Sequence, residues 1–167
     1  MLTNLVGSLH KLEGTSVAVS AVDTYKEPGT ATVQLLFNDA SRLRAAYWRL
    51  IRDGKERVSS FDHEQKYGLQ SQINAIHVLQ NELRAKTVTL AQLDKETGDL
   101  LFQFTGNLKL QVFGFTGYEI WEIRISGAGG EYSNHAKEVC RIVPDDFGSS
   151  GKPKIGISEI AGLVPQP

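Results

Sequence analysis

The sequence predicts an α+β fold made by internal duplication: a helix followed by four to five antiparallel strands, used twice about a pseudo-two-fold axis around one shared core. Three observations predict it. The stretch at residues 4–23 aligns with residues 75–94 without gaps, placing Leu5 on Ile76, Leu12 on Leu83, Val17 on Val88, Val22 on Leu93 and Asp23 on Asp94. The two tryptophans, Trp48 and Trp121, fall at the same place in each copy. Each tryptophan is followed by a glycine-bearing turn and a strand with a serine near its end, Ser60 in one copy and Ser133 in the other. A repeated order of elements reorganises the whole reading, so it takes precedence over single motifs.

Each copy opens on an amphipathic helix. Leu2, Leu5, Leu9 and Leu12, and then Ile73, Ile76, Leu79 and Leu83, recur at the three-to-four spacing that gathers side chains on one helical face. Asn74, Gln80, Asn81 and Arg84 take the outer face of the second helix. Gly14 ends the first, because glycine accepts a left-handed conformation without a β-carbon clash.

Strands follow. "SVAVSAV" (16–22) and "TVTLAQL" (87–93) alternate and are rich in β-branched residues. "KEPG" (26–29) and "KETGD" (95–99) are turns, and "ATVQLLF" and "DLLFQF" return from them, with Phe37 over Phe104. "KLQVFGF" (109–115) is a third strand of the second copy. In "YEIWEIRI" (118–125), Trp121, Ile123 and Ile125 share one face, and Glu122 and Arg124 the other. "RLRAAYWRLIR" (42–52) suits a helix as well as a strand, and its match to the second copy makes it one strand. Asp53-Gly54 then lies over Ser126-Gly127. The segment at 62–72 joins the copies.

A single α+β domain therefore spans residues 1–143, with repeats at about 1–65 and 72–143. From Pro144 the composition changes: four of the five prolines and "GSSG" (148–151) fall in 144–167. That composition reads as a flexible tail. Within it "IGISEIAGLV" (155–164) is too apolar for a plain linker and reads as a docking segment.

The bulk numbers set bounds. A chain of 167 residues buries roughly two thirds of its unfolded surface without staples. Composition, 41% apolar and 22% charged, is that of a globular protein. A net charge of −1 gives no overall pull toward nucleic acid or an anionic membrane. Cys140 is the single cysteine, so no internal disulfide calls for an oxidising compartment. The N-terminus has no basic region ahead of a continuous apolar core, and no run approaches the ~20 apolar residues of a membrane span. The expectation is a cytoplasmic protein with no membrane partner.

Candidate chemistry is sparse. Asp62, His63, Glu64 and His135 lie near equivalent strand ends and suggest metal binding or acid–base work, or a hydrolase-like enzyme through His63 and His135. Their spacing fits no helix-borne metal motif, and neighbours on a strand point to opposite faces. Ser60, Asp62 and His63 are too close in sequence to line up as a triad. "VCRIV" around Cys140 reads as a strand with a small buried thiol. Gly127, Gly129 and Gly130 lead into a strand, not into the helix a phosphate cradle requires. No catalytic residue, metal ligand or cofactor is expected.

Binding surfaces carry more weight. Arg42, Arg44, Arg49, Arg52, Lys55 and Arg57 gather in one predicted hairpin with Tyr47 and Trp48 interleaved, the alternative reading being a small nucleic-acid-binding module. Asp53 and Glu56 dilute that patch, and a charged solvated sheet face is the favoured explanation. Phe113, Phe115, Tyr118 and Trp121 exceed what one face of a short strand buries, and exposed aromatics beside polar groups anchor protein partners.

At "FTGYEIWEI" and "GGEYSNHA" the sequence resembles small bacterial proteins encoded beside polymorphic or contact-dependent toxins as their immunity proteins. The likeness covers mainly residues 100–136. It implies a stoichiometric inhibitor that binds a cognate toxin domain and blocks its active site, without catalytic residues of its own. The partner-binding residues it suggests are Tyr118, Glu119, Glu122 and Glu131 on the second hairpin, with Arg49 and Arg52 on the first against an acidic partner.

Overall fold

In a computed structural model, the structure describes residues 2–22, 30–114, 119–128, 130–135 and 138–142. Along them run α1 (Leu2–Leu9), β1 (Val17–Ala21), β2 (Val33–Phe37), β3 (Arg42–Ala45), β4 (Trp48–Arg52), β5 (Lys55–Ser59), α2 (Ala75–Leu83), β6 (Val88–Leu93), β7 (Leu100–Phe104), β8 (Leu108–Val112), β9 (Trp121–Arg124), β10 (Glu131–His135) and β11 (Glu138–Ile142). The strands pair antiparallel into two sheets, in the order β1-β2-β3-β9-β10-β11 and β5-β4-β8-β7-β6. The fold is α+β and mostly antiparallel sheet.

Each sheet takes strands from both halves of the chain. The meander β1-β2-β3 is extended by the hairpin β9-β10, and the meander β6-β7-β8 by the hairpin β4-β5. Ala45 faces Trp121 and Leu43 faces Ile123 in the first sheet. In the second, Val112 faces Trp48 and Leu110 faces Leu50. The expected single strand at 42–52 is therefore two. It breaks at Ala46-Tyr47, where the chain crosses from one sheet to the other. Ala46 N–H donates to Ile120 O at 2.9 Å, and Phe113 N–H to Tyr47 O at 3.0 Å, so the backbone groups at the crossing stay paired.

The helices start and stop for local reasons. α1 tightens into a 3-10 turn at His10–Leu12, and Gly14 at φ +85° turns the chain away. α2 begins two residues later than its apolar spacing suggests. Asn74 caps it, its side chain accepting from His77 N–H at 3.0 Å, so Ile73 precedes the helix instead of opening it. The third strand of the second half ends at Val112, short of the expected 109–115.

Burial follows strand alternation. β2, β7 and β8 bury every second residue, and their inward side chains belong to an apolar cluster that also includes Leu5, Leu9, Leu12, Leu79 and Leu83. Trp48 and Trp121 are both fully buried, and Phe37 and Phe102 touch with ring centroids 6.1 Å apart. Each fully buried leucine contributes about 1.5–3 kcal/mol of transfer free energy, opposed by the ordering of the chain. Strand starts also touch: Ser16 and Thr87 form an isolated bridge. The tail at 144–167, with its docking segment, lies outside the described residues.

Candidate functional site

The outer face of the first sheet carries a row of charge. Across β2, β3, β9 and β10, register sets Gln34 beside Arg44, Arg44 beside Glu122 and Glu122 beside Ser133. Arg44 pairs with Glu122 at 3.6 Å and Arg42 with Glu131 at 3.2 Å. These four side chains and Gln34 line a shallow hollow of about 90 Å³. Burial pushes the Glu122 carboxyl above the ordinary range; Arg44 opposes this, and Glu131 and Glu119 add to it. Glu122 and Glu131 thus come together, with Glu119 close enough to act on their charge. Tyr118 lies outside the described residues.

Arg49 and Arg52 are elsewhere. Both sit on β4 in the second sheet, so the six basic residues expected in one hairpin divide between two sheets. Arg49 donates from Nε and Nη2 to Gln111 Oε1 at 3.0 and 2.6 Å, approaches Glu56 at 3.5 Å, and lies 5.4 Å from the centroid of the Phe113 ring. Arg52 and Arg57 both clasp Glu82 of α2, at 2.7 and 2.9 Å. Burial raises the Glu82 carboxyl, but the hydrogen bonds and charges of Arg57 and Arg52 outweigh it and hold it below the ordinary range. Five of the six basic residues meet carboxylates, and for Arg42, Arg44, Arg52 and Arg57 the sequence conceals this because Glu82, Glu122 and Glu131 lie far along the chain.

A surface that the sequence reading passed over lies in the connection between β5 and α2. Ser59 and Asp62 form a capping box around a 3-10 turn at Ser60–Asp62. Glu64 N–H donates to Ile73 O and Ile73 N–H to Gln65 O, both at 2.8 Å, which closes the loop. On this pinned loop Phe61, Tyr67 and Leu69 are 50%, 67% and 58% exposed. Tyr47 stacks on Phe61 at 5.3 Å, and the nearby Asp62 carboxylate pushes the Tyr67 phenol above its ordinary pKa. The available signal was three large apolar residues in an otherwise polar stretch that includes three glutamines.

Ser60 and Asp62 have structural occupations. Ser60 is buried, and its Oγ accepts the Trp48 backbone N–H at 3.3 Å. The Asp62 carboxylate accepts from Ser59 N–H and Ser59 Oγ–H at 2.7 and 3.0 Å. His63 Nε2 lies 4.0 Å from Glu64 Oε1. In register, Ser59 lies opposite Arg49 and Ser133 opposite Glu122, in each case the residue after a tryptophan. Among the described residues no group of three or more His, Cys, Asp or Glu side chains could hold a metal ion, and no helix is long and apolar enough to cross a membrane. The side chains of His135 and Cys140 fall outside the described set. No family model matches this chain, and neither does a curated protein or a solved structure.

Proposed function

We propose that this chain is a non-enzymatic protein-binding protein of the immunity type, a cytoplasmic inhibitor that binds a cognate bacterial toxin domain and blocks it. The observation that carries the reading is the set of exposed Phe61, Tyr67 and Leu69, with Tyr47 stacked beneath Phe61, on a loop closed by its own hydrogen bonds. A fixed loop loses little entropy on binding, and large aromatics desolvated at the centre of an interface supply most of its free energy. Charged side chains such as Glu119, Glu122, Glu131, Arg49 and Arg52 would steer approach and select the partner.

We further propose that residues 1–143 form one domain made of two copies of an ancestral unit which exchange their hairpins. The matched pairs Ala45–Trp121 and Val112–Trp48 support this. So does the matched bonding at Asn38 N–H to Ser16 O, 3.1 Å, and Thr105 N–H to Thr87 O, 2.9 Å. The alternative, nucleic-acid binding by Arg42 to Arg57, has less support because most of those guanidinium groups already meet carboxylates.

The test is co-expression with the product of the neighbouring reading frame. Wild type should restore growth, and the double variant Phe61→Asp/Tyr67→Asp should weaken binding at least about 30-fold, the size of a hot-spot loss. Its thermal midpoint should stay within a few degrees, since both side chains are exposed. A neighbour that is harmless, or that stays toxic beside the wild-type chain, removes the reading.

A further inference from the structure

Two edge strands lie beside helices, and they are finished differently. β1 closes the first sheet, and the Val19 carbonyl on its outer side receives the Gln80 amide of α2 at 3.0 Å. β6 closes the second sheet beside α1. Asp94 N–H bonds to Asp99 O, and Gln92 faces Leu101. By antiparallel alternation, Ala91 and Leu93 then turn their backbone N–H and C=O away from β7. Both residues line an open cleft of about 640 Å³ between β6 and α1. Its apolar wall includes Val6, Leu9 and Leu90. Glu13, Asp94 and Asp99 stand on its rim, and none of the described lining residues is a lysine or arginine.

An edge strand with outward backbone groups, an apolar wall and an acidic rim suits one kind of occupant: an extended segment with alternating aliphatic side chains and basic residues nearby. The chain carries such a segment. Ile155 and Ile157 alternate with Lys154, Gly156 and Ser158, and Lys152 precedes them. β11 ends at Ile142, and residues 143–153 can span up to about 40 Å when extended, roughly the diameter of a domain this size. Reach is therefore sufficient.

We propose that residues 154–158 add as an extra strand to the outer side of β6, with Ile155 and Ile157 on the apolar wall and the two lysines toward Glu13, Asp94 and Asp99. The outward N–H and C=O of Val88 are already bonded by Thr15 O and Gly14 N–H, both at 2.8 Å, so the added strand would continue that cover along Ala91 and Leu93, where a bare edge beside apolar surface is seldom tolerated.

Amide hydrogen exchange on the dilute full-length chain tests this, independently of any toxin. The Ala91 and Leu93 amides should exchange at least tenfold slower in wild type than in the double variant Ile155→Asp/Ile157→Asp. The Leu110 amide, in the middle of the second sheet, should be the same in both and so report an intact fold. Unprotected Ala91 and Leu93 amides in wild type overturn the proposal, as does protection that survives the double variant. Protection that grows with protein concentration also overturns it, assigning the cleft to a second copy.

Discussion

Residues 30–60 and residues 98–134 make the same buried contacts with different side chains. In the first, the Trp48 indole N–H donates to Ala31 O at 2.7 Å and its backbone N–H to Ser60 Oγ at 3.3 Å. In the second, the Trp121 indole donates to Gly98 O at 2.8 Å and its backbone N–H to Asn134 Oδ1 at 2.9 Å. The outer faces differ far more. Where β4 crosses β8 the pair is Arg49 with Gln111, and where β9 crosses β3 it is Glu122 with Arg44. Buried donors must find acceptors whatever residue supplies them, whereas a side-chain pair on an outer face is free to change sign. The inside of each half is held by that requirement, and the outside is where a binding specificity can diverge.

The largest expected effect attacks the shared part. Trp48→Ala and Trp121→Ala should each cost about 3–5 kcal/mol, because both rings are fully enclosed. Trp→Phe at either position keeps most of the buried area but leaves the Ala31 or Gly98 carbonyl without its donor, at about 1–3 kcal/mol. Urea unfolding of the four variants measures this. A tryptophan that can be truncated for less than about 1 kcal/mol would break the equivalence.

Much of that inner frame was legible beforehand, because period and burial leave marks on a sequence. Leu5, Leu9 and Leu12 announced their face, and Trp121, Ile123 and Ile125 theirs; all six are buried. That each sheet takes strands from both halves of the chain was not legible. Alternation shows that a segment is a strand but not which strand lies beside it, and Arg42–Ala45 runs into Trp48–Arg52 with no glycine or proline between to mark the crossing. The acidic partners of the arginines were hidden for the same reason: Glu131 is distant from Arg42 in sequence and adjacent only across the sheet. Phe61, Tyr67 and Leu69 were missed because they follow no period at all. Loops show their function by what they expose, which sequence spacing does not record.

A smaller effect sharpens the comparison at one point. Asn134 Oδ1 accepts from both Ile120 N–H and Trp121 N–H, at 3.0 and 2.9 Å, while Ser60 Oγ accepts one backbone N–H at 3.3 Å. Asn134→Ala leaves two buried donors without that acceptor and should cost about 3 kcal/mol, against about 1 kcal/mol for Ser60→Ala. Equal losses in the urea midpoint would mean that the second acceptor bond contributes nothing.

The smallest effect concerns two glutamates whose carboxyls shift in opposite directions. Glu82 is held low by Arg57 and Arg52 against the burial that would raise it. Its folded pKa lies below its unfolded one, so its stabilisation is complete above the ordinary carboxylate range and is lost as pH falls through the lowered folded value. Glu122 is raised, first by burial. The native state takes up that proton before the unfolded chain does, so acidification relieves a cost present at neutral pH. Glu82→Gln should therefore destabilise at neutral pH by about 1 kcal/mol or less, as partly solvated ion pairs do, and the deficit should vanish in acid. Glu122→Gln should change in the opposite sense, its stability falling relative to wild type as pH drops from about 7 toward the ordinary carboxylate range. Thermal midpoints of the two variants across that interval decide it. If both deficits vanish in acid, the two outer faces differ in sequence but not in electrostatic character.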